Sequence, residues 1–254
     1  MANILTQRRI LFRGFDPSRI PGLALWLDAA DASTVTLDGS NNVSEWRDKS
    51  GNSRHFDQAD TLRKPSYSLA ALNNNNAIAF DGTNDALRRN NEAWAYNYPL
   101  NIFVVFRTAS FPAAYNSLWD FYGDASGTTA SHTGLIRLNQ KSAIYIATTT
   151  GQTNYDGSGA ITYATNQTHQ FSAVIQTNSI TSRGDRLDDG VLSASFIPRA
   201  TPQGTFANVI GASLAFGRYT PWRIGEFLVF TGRVLTVPER DAVEAYLAAK
   251  WGTP

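Results

Sequence analysis

Short runs of alternating large and polar side chains, each cut off by a Gly-, Asn- or Asp-rich turn, constrain this chain more than any other feature. Val43-Ser-Glu-Trp-Arg47 alternates as a strand with one buried face does, and Asp48-Lys-Ser-Gly-Asn52 closes it. Leu23–Asp28 and Ala77–Phe80 read as strands, the second stopped by Asp81-Gly82, a hairpin-type turn. Asn101–Phe106 is the most apolar run and is expected at the centre of a sheet. Ser117–Tyr122, Gly134–Leu138, Ala143–Thr148, Gln170–Gln176, Asn208–Gly211 and Arg223–Phe230 complete the set, and Asn73–Asn76 reads as a loop tip. Many short strands with turn signals between them predict an all-β sandwich or barrel.

One helix is expected, at the end. Thr236-Val-Pro-Glu239 is a capping box with proline in the first turn. Val243, Tyr246, Leu247 and Trp251 then recur at helical spacing, with Gly252 as the stop. The Tyr246/Leu247 stripe is expected to pack on the sandwich edge. Elsewhere the sequence opposes helix: Glu occurs only five times, while Asn, Thr, Ser and Gly, which favour turns and strand surfaces, abound.

A chain of 254 residues can bury enough surface to need no covalent staples, and it has no cysteine, which removes disulfides and thiolate metal sites. A net charge of +1 offers no field to draw nucleic acid or acidic membranes. No apolar run approaches the roughly 18 residues that span a bilayer, and the N-terminus lacks a signal-peptide core. Residues 1–19 stand apart from the domain at 20–254. They interleave Arg8, Arg9 and Arg13 with Ile10, Leu11, Phe12 and Phe15, either as an arm that docks on a neighbouring subunit or as an extra strand of the same domain.

Ile20-Pro-Gly-Leu-Ala-Leu-Trp-Leu-Asp-Ala-Ala-Asp31, then Trp46-Arg-Asp-Lys-Ser-Gly51, then Ala77–Asp85, and finally Arg223–Phe230 with Ala248-Ala-Lys-Trp-Gly252, follow one another in order. This series resembles the concanavalin A-like or laminin-G-like jelly-roll domains of bacteriophage virion and bacterial surface proteins. The resemblance implies two stacked antiparallel sheets with a short C-terminal helix. It also implies a virion structural protein, a capsid decoration or tail-attached module present in many copies or as a homo-oligomer. Such a protein is assembled in the host cytoplasm, held to other virion proteins by its arm, and exposed outside cells after release. A carbohydrate-binding module that recognises host-surface glycans is the alternative, and a glycan-cleaving hydrolase the second.

The expectation from the residues is that the chain is not an enzyme. The fold's hydrolases carry an alternating Glu-x-Asp-x-x-Glu strand, and this sequence has none; Glu226 stands alone between Gly225 and Phe227. His55, His132 and His169 lie in polar, loop-like contexts that suggest solvated side chains, and there is no nucleophile elbow or zinc pair. No cofactor is expected. Calcium is the alternative at Asp81/Asn84/Asp85 or at Asp185/Asp188/Asp189, against the simpler reading that these residues cap turns. Sugar binding needs an exposed aromatic face beside amides or carboxylates. Tyr155 with Asp156, Tyr219 with Trp222, and Tyr96/Tyr98 are the candidates, while Trp26, Trp46 and Trp251 are assigned to the core.

Overall fold

The computed structural model describes residues 14–90, 92–111, 116–122, 131–136, 140–148, 151–155, 160–193, 207–213 and 217–254. In chain order the strands are β1 (Leu23–Asp28), β2 (Val35–Leu37), β3 (Val43–Trp46), β4 (Phe56–Asp57), β5 (Ser66–Leu72), β6 (Asn75–Ala79), β7 (Leu87–Asn90), β8 (Leu100–Thr108), β9 (Asn116–Tyr122) and β10 (Ser131–Ile136). They continue as β11 (Ser142–Thr148), β12 (Gly151–Tyr155), β13 (Thr168–Ile175), β14 (Ser179–Gly184), β15 (Leu187–Ser193), β16 (Ala207–Ile210), β17 (Ala212–Ser213), β18 (Arg218–Tyr219) and β19 (Trp222–Thr231). One helix, α1 (Val237–Trp251), follows.

Two antiparallel sheets carry the fold. One runs β15-β14-β13-β8-β19-β6-β5, with β1 also paired to β19; the other runs β12-β11-β10-β9-β16-β7-β4-β3-β2. Between them lies a core in which Leu25, Ile102, Val104, Phe106, Phe171 and Phe227 of the first sheet meet Trp46, Phe56, Leu87, Trp119, Phe121 and Ile210 of the second. Trp119 and Phe121 both set an edge against Phe227, at 5.7 and 6.0 Å between ring centres. The fold is an all-β antiparallel sandwich with one C-terminal helix.

Strand β8 shows why the most apolar run is central. Ile102, Val104 and Phe106 point between the sheets, while Phe103 and Val105 point outward to a second apolar cluster with Leu228, Phe230, Val243, Leu247 and Trp251. Both faces of the strand are therefore buried, and no polar alternation survives. The helix lies on this outer face of the first sheet and not at the sandwich edge, because Phe103, Val105, Leu228 and Phe230 leave a stripe that needs covering. Burying Val243 and Leu247 there contributes about 1.5–3 kcal/mol each.

The ends of α1 follow the sequence. The Thr236 hydroxyl accepts from the Glu239 N–H, and the Glu239 carboxylate accepts from the Thr236 N–H at 2.8 Å. Gly252 closes the helix in the left-handed region at φ 69°. Asn73, at the tip of the β5–β6 hairpin, and Asn75 both donate side-chain N–H bonds to the Lys250 carbonyl, at 3.1 and 2.7 Å. That carbonyl would otherwise be an unsatisfied group of the last turn. Asp81-Gly82 makes no hairpin, since β6 and β7 belong to different sheets and the chain crosses between them here.

Candidate functional site

A groove of about 410 Å3 lies on the outer face of the first sheet, between its β13–β15 end and the N-terminal half of α1. Two cross-strand rows form its floor. Register places Val174, Thr181 and Val191 in one row and Ser172, Arg183 and Asp188 in the next. A β-bulge between them leaves Asp189 as the extra residue, so adjacent acids part company. The Asp188 side chain is 86% exposed, whereas Asp189 is fully buried, accepting from the Ser142 hydroxyl and, at 2.7 Å, from the Ile161 N–H.

Arg183 ties the groove together. Its Nε donates to buried Glu244 of α1 at 3.1 Å and its Nη1 to Asp188, while the Ser172 hydroxyl donates to Glu244 at 2.9 Å. The groove presents hydrogen-bond acceptors and hydroxyls beside the apolar side chains of Val174 and Val191.

A second constellation sits beneath the C-terminal half of α1. Gly225 is the extra residue of a bulge in β19, which turns Glu226 outward, directly across from Asp28 of β1. Glu226 is fully buried. Its Oε1 accepts from Trp26 Nε1 at 2.7 Å and from the Tyr246 hydroxyl at 2.9 Å; its Oε2 accepts from Lys250 Nζ at 2.8 Å and Trp251 Nε1 at 2.6 Å. Lys250 also reaches Asp28 at 2.6 Å, and Lys49 holds the other oxygen of Asp28 at 2.9 Å. Burial pushes the Glu226 carboxyl up, opposed by the Lys250 ammonium and the Trp251 N–H. Burial likewise drives the Tyr246 hydroxyl far above its ordinary value, with Glu226 and Asp28 adding to the effect. This carboxylate pair is plugged by a lysine and capped by three aromatic residues, so it fastens the helix to the sheet.

The structure separates the residues singled out in the sequence. Trp222 is 1% exposed and stacks on Phe106 at 5.1 Å, so it is a core side chain and not a sugar platform. Tyr219 is half-buried in the short β17–β18 pair, which joins neither large sheet, and does not line the groove. Tyr155 ends β12, and Asp156 lies outside the described residues, as do Arg8, Arg9, Ile10, Leu11, Phe12 and Arg13. Phe15 is described: it packs on the outer cluster, its ring 5.4 Å from that of Tyr246. Trp46 and Trp251 are in the core, whereas Trp26 is only partly buried at the edge of the outer cluster.

Asp81 caps a turn, its Oδ1 accepting from the N–H groups of Thr83, Asn84 and Asp85 at 2.8–3.2 Å. Among the described residues no group of three acids or histidines is placed to hold a metal. His169 is no loop residue. It is buried in β13, with Nδ1 2.6 Å from Asp185 and Nε2 2.9 Å from the Ala164 carbonyl, leaving neither nitrogen open to act as a base. Arg183 and Asp185, two residues apart, serve different places, Arg183 the groove and Asp185 the buried His169.

No protein-family model matches the chain, and no curated protein matches it. Solved structures do. Trypanosoma rangeli sialidase superposes with a TM-score of 0.60 at 10% identity, over 96% of this chain and 37% of that one. A GH54 α-L-arabinofuranosidase gives 0.57 at 13% identity, over 84% of this chain and 52% of that one. Domain 4 of AbnA, a GH43 extracellular arabinanase from Geobacillus stearothermophilus, solved with arabinotriose, gives 0.58 at 10% identity, over 87% of this chain and 97% of the domain. The likeness is one of fold. This chain thus spans little more than a third of the sialidase but nearly all of the arabinanase domain. The expectation that the chain is no enzyme is corrected by this result: chains of glycoside hydrolases carry the fold, so the missing Glu-x-Asp-x-x-Glu strand does not exclude catalysis.

Proposed function

We propose that the chain is a glycan-directed β-sandwich domain that binds saccharide. One observation carries the reading: the sandwich corresponds over almost its full extent to an arabinanase domain solved with arabinotriose. The groove beside α1 supplies the chemistry a sugar needs, with a carboxylate and hydroxyls beside the apolar Val174 and Val191. The virion role, with residues 1–19 docking on other virion proteins, rests on the sequence resemblance alone, and the carbohydrate reading takes precedence over it.

Calorimetric titration against a panel of oligosaccharides, with product analysis of each mixture, tests the proposal. Binding is the expected outcome. Shortened products in the same mixtures would make the domain a hydrolase acting on what it binds. No heat and no product with any oligosaccharide would overturn the reading.

A further inference from the structure

We infer that the groove beside α1 takes uncharged saccharides and turns acidic ones away. The inference rests on the glycan reading above and names the class of ligand. Among the described residues two guanidinium groups line the groove, and each already holds an acid. Arg183 donates to Glu244, to Asp188 and to the Arg186 carbonyl. Arg240 donates through Nε and Nη2 to Asp241, at 3.0 and 2.8 Å. Among the described residues three carboxylates thus pair with two guanidinium groups, so a sugar carboxylate would meet cations whose charge is already matched by acids.

The acid that such a ligand would meet first is Asp188, the most exposed of the three. Like charges brought together in a partly enclosed groove work against binding, which is how a site rejects a competitor. A neutral sugar meets the opposite situation. Only Oδ1 of Asp188 is used by Arg183, so Oδ2 is left to accept from a sugar hydroxyl. Thr181 stands in the adjacent row with a hydroxyl that both donates and accepts, and Val174 and Val191 flank it to receive the C–H face of a ring. Val191 is 72% exposed, a large apolar side chain on an edge strand with nothing packed over it among the described residues.

The experiment compares neutral oligosaccharides (arabino-, xylo- and galacto-oligosaccharides) with acidic ones (oligogalacturonates and sialyllactose) on three proteins: wild type, Val191→Trp and Asp188→Asn. Neutral ligands should bind wild type at least about tenfold more tightly than acidic ones of equal length. Val191→Trp, which fills the groove from an exposed position, should abolish neutral binding while the thermal midpoint holds. Asp188→Asn should narrow the neutral-to-acidic ratio. Acidic ligands binding wild type as tightly as neutral ones would overturn the inference and leave the glycan reading standing. Neutral binding untouched by Val191→Trp would place the sugar elsewhere and also overturn it. Silence from both ligand classes would instead bring down the glycan reading itself.

Discussion

Asp28 and Glu226 face each other across β1 and β19, and the Lys250 ammonium of α1 bridges them at 2.6 and 2.8 Å. Removing the bridge should be costly, because it leaves two acids side by side with only Lys49 on the outer one. Lys250→Met is expected to lower unfolding free energy by about 3–5 kcal/mol, the usual effect of breaking a buried pair. Glu226→Gln added to Lys250→Met should restore part of the loss. Urea denaturation of the single and double variants measures both. Equal midpoints for the single and double variants would show that charge is not the cause.

Gly225 makes the same cluster possible. A Cβ built there lies 2.7 Å from the Trp251 ring, which is packed and cannot give way. Gly225→Ala should therefore destabilise by about 1–3 kcal/mol through overpacking. It should also loosen α1 before the sandwich opens, visible as Trp251 fluorescence that changes ahead of the far-ultraviolet β signal.

The helix start offers a smaller effect. Thr236→Ala removes the hydroxyl that accepts from Glu239 N–H and should cost about 1 kcal/mol, or roughly 2–4 °C in thermal midpoint for a chain of this size. The Arg233 guanidinium, followed by the Thr236 bonds, holds the Glu239 carboxyl down at about 2. Its contribution is present above the ordinary value of 4.5 and fades as pH falls through about 2. Glu239→Gln should accordingly cost stability near neutral pH and close the gap with wild type in strong acid.

Asp85 works in the other direction. Partial burial, with the Asp81 charge beside it, lifts its carboxyl from 3.8 to about 6. The folded form then holds the proton more tightly than the unfolded form. The resulting stability is full below 3.8 and is lost as pH rises through about 6. Asp85→Asn keeps an oxygen to accept the Asp81 N–H and never ionises. Its urea midpoint should gain on wild type as pH climbs from about 4 to about 7. Parallel pH profiles for the two proteins would refute the assignment.

The architecture was legible wherever one physical signal dominated. Asn101–Phe106 is apolar on both faces because both faces of β8 are covered, and the Thr236–Glu239 box marks α1 to the residue. Strands β14 and β15 left little trace: Ser-Ile-Thr-Ser-Arg-Gly and Leu-Asp-Asp-Gly-Val-Leu-Ser carry too few apolar residues to betray a period. The site was harder still. Arg183 meets Glu244 across 61 positions and Glu226 meets Trp26 across 200, separations that no local pattern encodes. Glu226 looked solitary for that reason. Trp222 misled in the opposite sense, because Arg218-Tyr-Thr-Pro-Trp222 has the composition of an exposed loop while its last residue begins a central strand.

The Trp26–Glu226 and Lys250–Asp28 bonds also dictate when this molecule can finish folding. A nascent chain emerging from the ribosome holds β1 for some 200 residues before its partners β19 and α1 are made. Until then Asp28 and Lys49 have no lid, and β8 lacks one neighbour and its outer cover. Maturation is thus a late event, timed by the synthesis of residues 222–251, and long-range closure of this kind is slow. Chains halted short of that point would expose the apolar stripe of Phe103 and Val105, a natural target for chaperones and proteases.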